Sequence, residues 1–292
     1  MKQTSVGKVN FDTFKRVHSQ EFQGVIHSIF DHTINVVLNK QIPNMLTLGG
    51  RRVRGSPNSV FLENFQELKS HIFRGQKVNL AQGKLFIDPQ LEIKFRIDTV
   101  GTSEKHNTLP SNLSQKIEKL NILELKSNPY TNNPAYRPFL TPLLCEIQSL
   151  KQALIGGEHI RIRKNGQRLI GLGVGLTPSG DDVLTGLFLT LNSLPKCKEK
   201  VVEDILGKKG SQLSHTNLIS QHQLYFAALG EGKANVLSFI EESDPELIEE
   251  RAQSVLEIGS TSGFDTLLGI KLAMEFMRAE EIEKIEMEKE LT

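Results

Sequence analysis

The hydrophobic pattern changes its period once along the chain, near residues 101–112. Before that point, short runs such as 33–38 and 93–97 are rich in apolar and β-branched residues, as β-strands are. After it, apolar residues recur every three or four positions, as in 113–125, which is the period of helices. We therefore expect an α+β protein, in which a β-rich domain over 1–108 (a small barrel or sandwich) packs on a mainly helical domain over 109–292.

The finer pattern predicts individual elements. Strands are expected at 25–30, 33–38, 45–48, 78–80, 84–87 and 93–97, and the segment 58–70 suits either a strand or a helix. Helices are expected at 113–125, 139–155, 183–194 and 215–226, and three prolines predict a loop at 127–138. Asn165 and Gly166 form the strongest short hairpin signal, which predicts a β-hairpin over 159–172.

Composition excludes several classes of protein. The chain has 35 Lys and Arg against 34 Asp and Glu, and this balance argues against a strongly basic nucleic-acid binder. No apolar run approaches the ~18 residues of a membrane span, and the N-terminus lacks the apolar core of a signal peptide. We therefore expect a cytoplasmic protein without nucleic-acid or membrane partners. Cys145 and Cys197 are too few for a disulfide framework, and we expect buried thiols.

The most informative segment is the glycine-rich stretch 171–182, GLGVGLTPSGDD, which enters an apolar helix. Such a loop commonly binds anions, because backbone N–H groups and the helix dipole point toward the ligand. The dinucleotide motif GxGxxG fails, since Leu176 stands where the third glycine belongs. Gly175 and Gly180 have the Walker spacing, but two aspartates follow where Lys-Ser/Thr is required. The sequence therefore excludes both of these nucleotide sites.

The motif S-G-x-D-x-L-x-G occurs twice, at 179–186 and at 262–269. Its last glycines, Gly186 and Gly269, would let two helices approach closely, so that both helix starts converge on one polar pocket. The alternative is purely structural. Ser179 at the N-cap and Asp182 three residues later form a capping box, and packing alone could repeat it.

Asp181, Asp182 and Asp265 are the candidate catalytic groups, as acids or bases or as ligands for magnesium, the one cofactor considered. No nucleophile motif and no metal-ligand set is recognised. Arginines at 161, 163 and 168, on the predicted hairpin, and at 51, 52 and 54 either add an anion-binding fork or lie on a solvated surface. The candidate substrate- or anion-binding residues are glycines and hydroxyl residues, namely Gly173, Gly175, Thr177, Ser179, Gly180, Thr216, Ser220, Ser262 and Gly263.

The segments 171–182 and 258–265, with Thr216 and Ser220 between them, resemble the AllH-type family, and weaker matches lie at 17–19 and 46–48. The resemblance implies a role in purine and allantoin breakdown, as one subunit of oxamate carbamoyltransferase. That enzyme converts oxalurate and phosphate to oxamate and carbamoyl phosphate. The resemblance further implies FdrA-like and AllG-like partner subunits and a small anionic substrate, and it assigns no catalytic residue.

The residues agree with this chemistry in one respect. Carbamoyl transfer to phosphate needs anion recognition and stabilisation of an oxyanion, and it needs no nucleophilic side chain. The sequence therefore predicts a carbamoyltransferase subunit. Two alternatives stay open: a non-catalytic scaffold or regulatory subunit that binds an anion, and a magnesium-dependent enzyme that acts on a phosphorylated metabolite.

Overall fold

The computed structural model describes residues 3–18, 21–88, 91–98, 112–132, 134, 136–192 and 198–290. The chain divides into two compact units, residues 1–104 and 105–292. The first unit is built mainly of strands and the second of helices, which confirms the α+β class. The predicted boundary after residue 108 lies outside the described residues and stays a prediction.

The strands of the N-terminal unit close into a barrel. Its elements are β1 (Gln3–Val9), α1 (Phe11–His18), β2 (Phe22–Ile29), β3 (Thr33–Leu38), β4 (Met45–Gly49), a 3-10 turn (Arg51–Val53), β5 (Ser59–Leu62), α2 (Phe65–Lys69), β6 (Lys77–Ala81), β7 (Lys84–Ile87) and β8 (Leu91–Ile97). The strand order is β1-β5-β4-β3-β2-β6-β7-β8, closed by parallel pairing of β1 with β8. Of the two predicted architectures, the barrel is confirmed.

The strands predicted in the N-terminal unit all form, and the barrel adds β1, which the pattern did not predict and which closes the barrel. Strand β5, in a segment predicted as strand or helix, pairs parallel with β4. The ambiguous segment 58–70 contains both a strand, β5, and a helix, α2. Alternating side chains such as Ile34, Val36 and Leu38 of β3 are buried, as the two-residue period of a strand requires.

In the described residues of the C-terminal unit, the regular elements are all helices. Its elements are α3 (Leu113–Lys126), α4 (Pro129–Asn132), α5 (Arg137–Ile155), α6 (His159–Leu169), α7 (Ser179–Asn192), α8 (Lys198–Leu206), a 3-10 segment (Lys208–His215), α9 (Leu218–Ala228), α10 (Ala234–Glu241), α11 (Ile248–Leu256) and α12 (Ser262–Glu290). The short helix α4 lies inside the predicted loop. In the described part of the chain, no helix combines the length and hydropathy needed to cross a bilayer.

The predicted hairpin over 159–172 is wrong, because this segment forms helix α6. Ile162, Gly166 and Leu169 lie on one buried stripe at helical spacing, and Gly166 is in close contact with Ile205. Asn165 donates to the backbone oxygen of Ser149 instead of forming a turn. Burial of the helical stripe therefore outweighs the local preference of Asn-Gly for a hairpin.

This correction also changes the predicted arginine cluster. On a helix, residues 161 and 163 point to different sides, and they pair with Glu158 and Asp204 respectively. Arg168 pairs with Glu146, and Arg54 forms a two-contact pair with Asp98 in the barrel unit. These arginines therefore have carboxylate partners within their own units. Cys145 is exposed, contrary to the expectation of a buried thiol, and Cys197 lies outside the described residues.

Helices α7 and α12 cross in direct backbone contact at two glycines. A Cβ on Gly186 would overlap the carbonyl oxygen of Thr266, and a Cβ on Gly269 would overlap that of Val183. Val183 and Thr266 occupy the same position in the two S-G-x-D copies, as do the two glycines. The crossing is therefore reciprocal, and the two copies are related by a local pseudo-two-fold axis.

Replacing either crossing glycine with alanine should destabilise the protein. In Gly186→Ala and Gly269→Ala the added methyl group meets a backbone oxygen, so one helix must shift. Overpacking of this kind costs ~1–3 kcal/mol, and we expect at least that loss in the free energy of unfolding measured with urea. Gly50→Ala is the control, because its Cβ would meet nothing closer than 3.9 Å. Equal effects for all three variants would contradict the close crossing.

Candidate functional site

The two S-G-x-D copies meet at the starts of α7 and α12. The hydroxyl oxygens of Thr177 and Ser262 lie 2.9 Å apart, which joins the loop before α7 to the first turn of α12. Burial is nearly complete for the three candidate carboxyl groups, with Asp181 and Asp265 0% exposed and Asp182 2% exposed. The predicted convergence of the two helix starts is therefore present, and it follows from the glycine crossing deeper in the same helices.

Asp181 holds the surrounding backbone in place. Its Oδ1 accepts from the N–H of Gly171 at 2.8 Å, and its Oδ2 accepts a short hydrogen bond from Thr216. The hydroxyl of Ser220 also faces this carboxyl group. Burial raises the pKa of Asp181, and these donors oppose the rise. Because both oxygens accept hydrogen bonds, Asp181 ties the glycine loop to the residues just before α9.

Asp182 has one satisfied and one unsatisfied oxygen. Gln223 of α9 donates to its Oδ1 at 2.6 Å and to the hydroxyl of Thr185 at 3.0 Å. Its Oδ2 is buried and forms no hydrogen bond with any described residue. The hydroxyl of Ser262 faces Asp182 without completing a hydrogen bond to that oxygen. A buried acceptor without a donor is rare in folded proteins and is explained by a proton, a water molecule or a ligand.

Asp265 has the same arrangement on the other helix. The hydroxyl of Tyr130 lies 2.8 Å from Asp265 Oδ1 and 2.6 Å from the hydroxyl of Ser179, and Asp265 Oδ2 is buried without a partner among the described residues. A phenol has a single proton, so Tyr130 donates to only one of its two neighbours at a time. Ser179 thus faces Asp265 while Ser262 faces Asp182, and each serine serves the carboxyl group of the other copy.

The protein environment favours the protonated forms of Asp182 and Asp265. Burial raises the pKa of Asp265 to about 7, against the opposing effect of Tyr130 and Ser179. Burial also raises the pKa of Asp182, and the nearby charge of Asp265 raises it further. Both groups lie in the first turn of a helix, where the dipole favours negative charge, but desolvation is the larger effect.

A cation stands next to this pair. Lys233 immediately precedes α10, is solvent-exposed, and lies close enough to Asp182 for each charge to stabilise the other. Desolvation nevertheless lowers the pKa of Lys233. In the described residues, its ammonium group forms no hydrogen bond or ion pair within contact distance.

The glycines of the motif serve mainly to pack the chain. Gly180 and Gly263 pack on the carbonyl groups of Leu169 and Val255, and their N–H groups donate to Leu172 and Ile258. These two N–H groups already donate to backbone carbonyl groups, so a bound anion would have to accept hydrogen bonds from other donors. Gly173 and Gly175 both have positive φ, and Gly175 is exposed with no atom near its would-be Cβ. These two glycines give the loop the left-handed backbone that other residues rarely adopt.

The capping-box interpretation is wrong. The carbonyl of Pro178 accepts from the N–H of Asp182, so α7 begins one residue earlier than that interpretation requires. The hydroxyl of Ser179 contacts Tyr130 instead of capping the backbone. In α12, the carbonyl of Thr261 plays the same part as that of Pro178, accepting from Asp265. The side chains of Asp182 and Asp265 instead contact Gln223 and Tyr130, which belong to other helices.

Sequence reasoning missed three residues of this site: Tyr130, Gln223 and Lys233. Tyr130 comes from a proline-flanked segment far from the motif, and its ring packs against Phe264 with 6.2 Å between centroids. Gln223 follows Ser220 by three residues and Thr216 by seven, so helical spacing places it on their face, and this signal could have found it. The only signal for Lys233 was an isolated Gly-Glu-Gly-Lys turn. Only the packing of α4, α9 and the turn before α10 brings them to the aspartates.

The described residues contain no group of three or more His, Cys, Asp or Glu side chains arranged for a metal ion. Both oxygens of Asp181 accept hydrogen bonds, from the backbone of Gly171 and from Thr216. Among the described residues, the site therefore shows no preformed set of three ligands for magnesium. A cavity of about 880 Å³ lies in the barrel unit, beside strands β2, β3, β6 and β7, and no candidate site residue lines it.

The fold and the site define an α+β protein, with a barrel unit and a helical unit that buries two carboxyl groups at paired helix starts. Residues 169–274 match the family model of the oxamate carbamoyltransferase subunit AllH, and residues 4–102 match the AllH family N-terminal domain. Together the matches cover about 70% of the chain. The chain belongs to the AllH family. No solved structure matches it. The first match contains both S-G-x-D copies, Gln223 and Lys233, whereas Tyr130 lies outside it.

The buried carboxyl groups predict an unusual pH dependence of stability. The pKa of Asp265 is raised on folding, so its stabilising protonation is complete below about pH 4 and is lost as the pH rises through about 7. At one pKa unit per 1.36 kcal/mol, this effect is roughly 4 kcal/mol. We expect Asp265→Asn to gain free energy of unfolding relative to the wild type as the pH rises from 4 to 8.

Glu242→Gln is the control for that measurement. Hydrogen bonds from the backbone of Asp244 and from Arg251 lower the pKa of Glu242, so its contribution is present at neutral pH and is lost as the pH falls. The control should therefore alter only the acid side of the profile. A constant difference between Asp265→Asn and the wild type from pH 4 to 8 would show that Asp265 is not shifted.

Proposed function

We propose that this chain is a substrate-binding subunit of an oxamate carbamoyltransferase, and that its ligand binds between the starts of α7 and α12. Membership of the AllH family supports the subunit role. The observation that carries the site is the pair of orphan carboxyl oxygens, one on each copy of the repeated motif. The reaction we propose is the transfer of the carbamoyl group of oxalurate to phosphate, in purine and allantoin breakdown in the cytoplasm.

The orphan atoms specify the chemistry of the ligand. Asp182 Oδ2 and Asp265 Oδ2 are acceptors, which N–H groups of an amide or urea would satisfy. Ser220 Oγ is a third buried atom without a completed hydrogen bond, and it lies beside Asp181. A ureido acid such as oxalurate offers several N–H donors and a carboxylate in one small molecule. It therefore matches both the orphan acceptors and a nearby cation.

Lys233 is the group we assign to the anionic end of the ligand. It is the cation that interacts with Asp182, and it is exposed, while Thr177, Gln223 and Ser262 of the site are partly exposed. A carboxylate or phosphate at this position would gain a charge-assisted hydrogen bond. Lys233 at one end and the orphan oxygens at the other would then set the ligand's direction in the site.

Three ionised aspartates would repel an anionic ligand, but the structure reduces this repulsion. Asp181 faces the backbone and Thr216, and the other two carboxyl groups carry less than their full charge near neutral pH because burial raises their pKa values. No bridging metal ion is then required. We propose that FdrA-like and AllG-like subunits are the partners, as the family resemblance implies.

We expect the chain to bind oxamate and carbamoyl phosphate in calorimetry, alone or with FdrA-like and AllG-like subunits, and to bind them equally with magnesium or with chelator. The structural reason is that Lys233 and the orphan oxygens supply the contacts. Lys233→Met should weaken binding by about 10–100-fold, since a hydrogen bond to a charged group contributes ~1.5–3 kcal/mol. Lys200→Met, exposed on α8, is the control.

The activity test is phosphorolysis of oxalurate by the reconstituted complex. Activity that requires this chain supports the proposed function. Binding without any activity in the complete complex would favour the regulatory anion-binding alternative. Binding only in the presence of magnesium would favour a metal-dependent enzyme instead. If none of the ligands binds, even with both partners present, the site assignment is wrong.

A further inference from the structure

Resting on the proposed function, we propose that Asp182 and Asp265 form a proton-sharing carboxyl pair, one acid and one carboxylate, which protonates the amide nitrogen released during carbamoyl transfer. Each group has one oxygen held by a neutral donor, Gln223 for Asp182 and Tyr130 for Asp265. Each has a second oxygen that is buried and free of protein partners among the described residues. The pair therefore has two oxygens available for a mobile proton.

The charges around the pair argue for a single shared proton. The titratable groups that face it are Lys233, which precedes α10, and Tyr130 of α4, whereas α9 contributes the neutral Gln223. Burial keeps Tyr130 protonated by raising its pKa. One lysine compensates one carboxylate, and a second buried negative charge has no cation. Two buried like charges in one site disfavour double ionisation, so one carboxyl group retains its proton.

The proposed reaction needs such an acid. When an oxygen of hydrogen phosphate attacks the carbamoyl carbon of oxalurate, the bond from that carbon to the oxamate nitrogen must break. An amide anion is a poor leaving group, so the nitrogen takes the proton of the carboxylic acid as the bond breaks. The carboxylate partner accepts the proton of the phosphate hydroxyl. The products are oxamate and carbamoyl phosphate, and the pair again holds one proton.

The hydroxyl groups around Asp265 hold it in position for this task. Tyr130 bridges Asp265 and Ser179, and its ring is fixed between Phe264 and Tyr136. We regard Tyr130 as a positioning residue. Tyr130→Phe removes the hydroxyl and should shift the pH profile of the reaction, because Asp265 loses a donor that stabilises its ionised form.

Infrared spectroscopy of the isolated chain tests the shared proton without any ligand or activity. Ordinary Asp and Glu side chains titrate near pH 4, so at about pH 6.5 a carbonyl stretch of a protonated carboxyl group must come from a shifted one. We expect this band in the wild type and its loss at higher pH. Asp265→Asn should weaken it, and Asp182→Asn should move its midpoint to lower pH, because Asp265 then no longer faces a second buried carboxyl group. Asp181→Asn is the matched control, since this neighbouring buried aspartate has both oxygens occupied, and it should keep the band.

Kinetics of the reconstituted complex test the catalytic role. We expect Asp182→Asn and Asp265→Asn each to lower kcat by on the order of 10²–10⁴-fold, the usual contribution of general acid–base catalysis, with little change in KM. Wild-type kcat should fall at high pH, when the pair loses its last proton.

The possible outcomes separate the two proposals. Absence of the band in the wild type overturns the shared proton, even if one of the variants fails to fold. A band with normal kinetics in both Asn variants overturns the catalytic role. A band that behaves as expected, in a complex that has no activity, leaves the carboxyl pair established and shows that the proposed function is the part that failed.

Discussion

The backbone contact between α7 and α12 is the constraint on which the site depends. Gly186 and Gly269 have no side chains at the crossing, so each helix lies directly against a carbonyl group of the other. The crossing is about one turn beyond Asp182 and Asp265, and this short distance brings the two helix starts together. Any side chain at either glycine would separate the helices. The carboxyl groups would then be less buried, water would reach them, and their pKa values would fall toward the usual range of aspartate.

Close packing of this kind has an energetic cost that the rest of the unit must offset. Two buried carboxyl groups, each with one oxygen that no described protein donor contacts, destabilise the fold, because burial removes them from bulk water. The apolar residues of α7, including Leu184, Leu187 and Phe188, are fully buried around them. A helix buried on all sides holds its first turn rigidly, and rigidity is what a site needs to keep two acids at a fixed separation.

The two copies of the motif are not identical, and their differences give Asp182 and Asp265 different surroundings. Position 181 is an aspartate that ties down the backbone, whereas the equivalent position 264 is a phenylalanine that packs on Tyr130. Asp182 faces an amide and a cation, and Asp265 faces hydroxyl groups. Two similar carboxyl groups therefore stand in different surroundings. Such a difference is the usual physical basis for assigning different roles to two acids.

The sequence by itself determined the features that depend on local periodicity and on a repeated motif. The change of period near residue 100 predicted the α+β class, and the repeated S-G-x-D motif predicted two glycine-assisted helix starts that meet. The hairpin at 159–172 and the capping box failed, because burial of Ile162 and Leu169 and the contact of Ser179 with Tyr130 outweighed local preferences. The contacts of Tyr130, Gln223 and Lys233 with the aspartates were decided only by the tertiary structure. These residues come from three other segments, and their relation to the aspartates arises from helix packing, which no single stretch of sequence records.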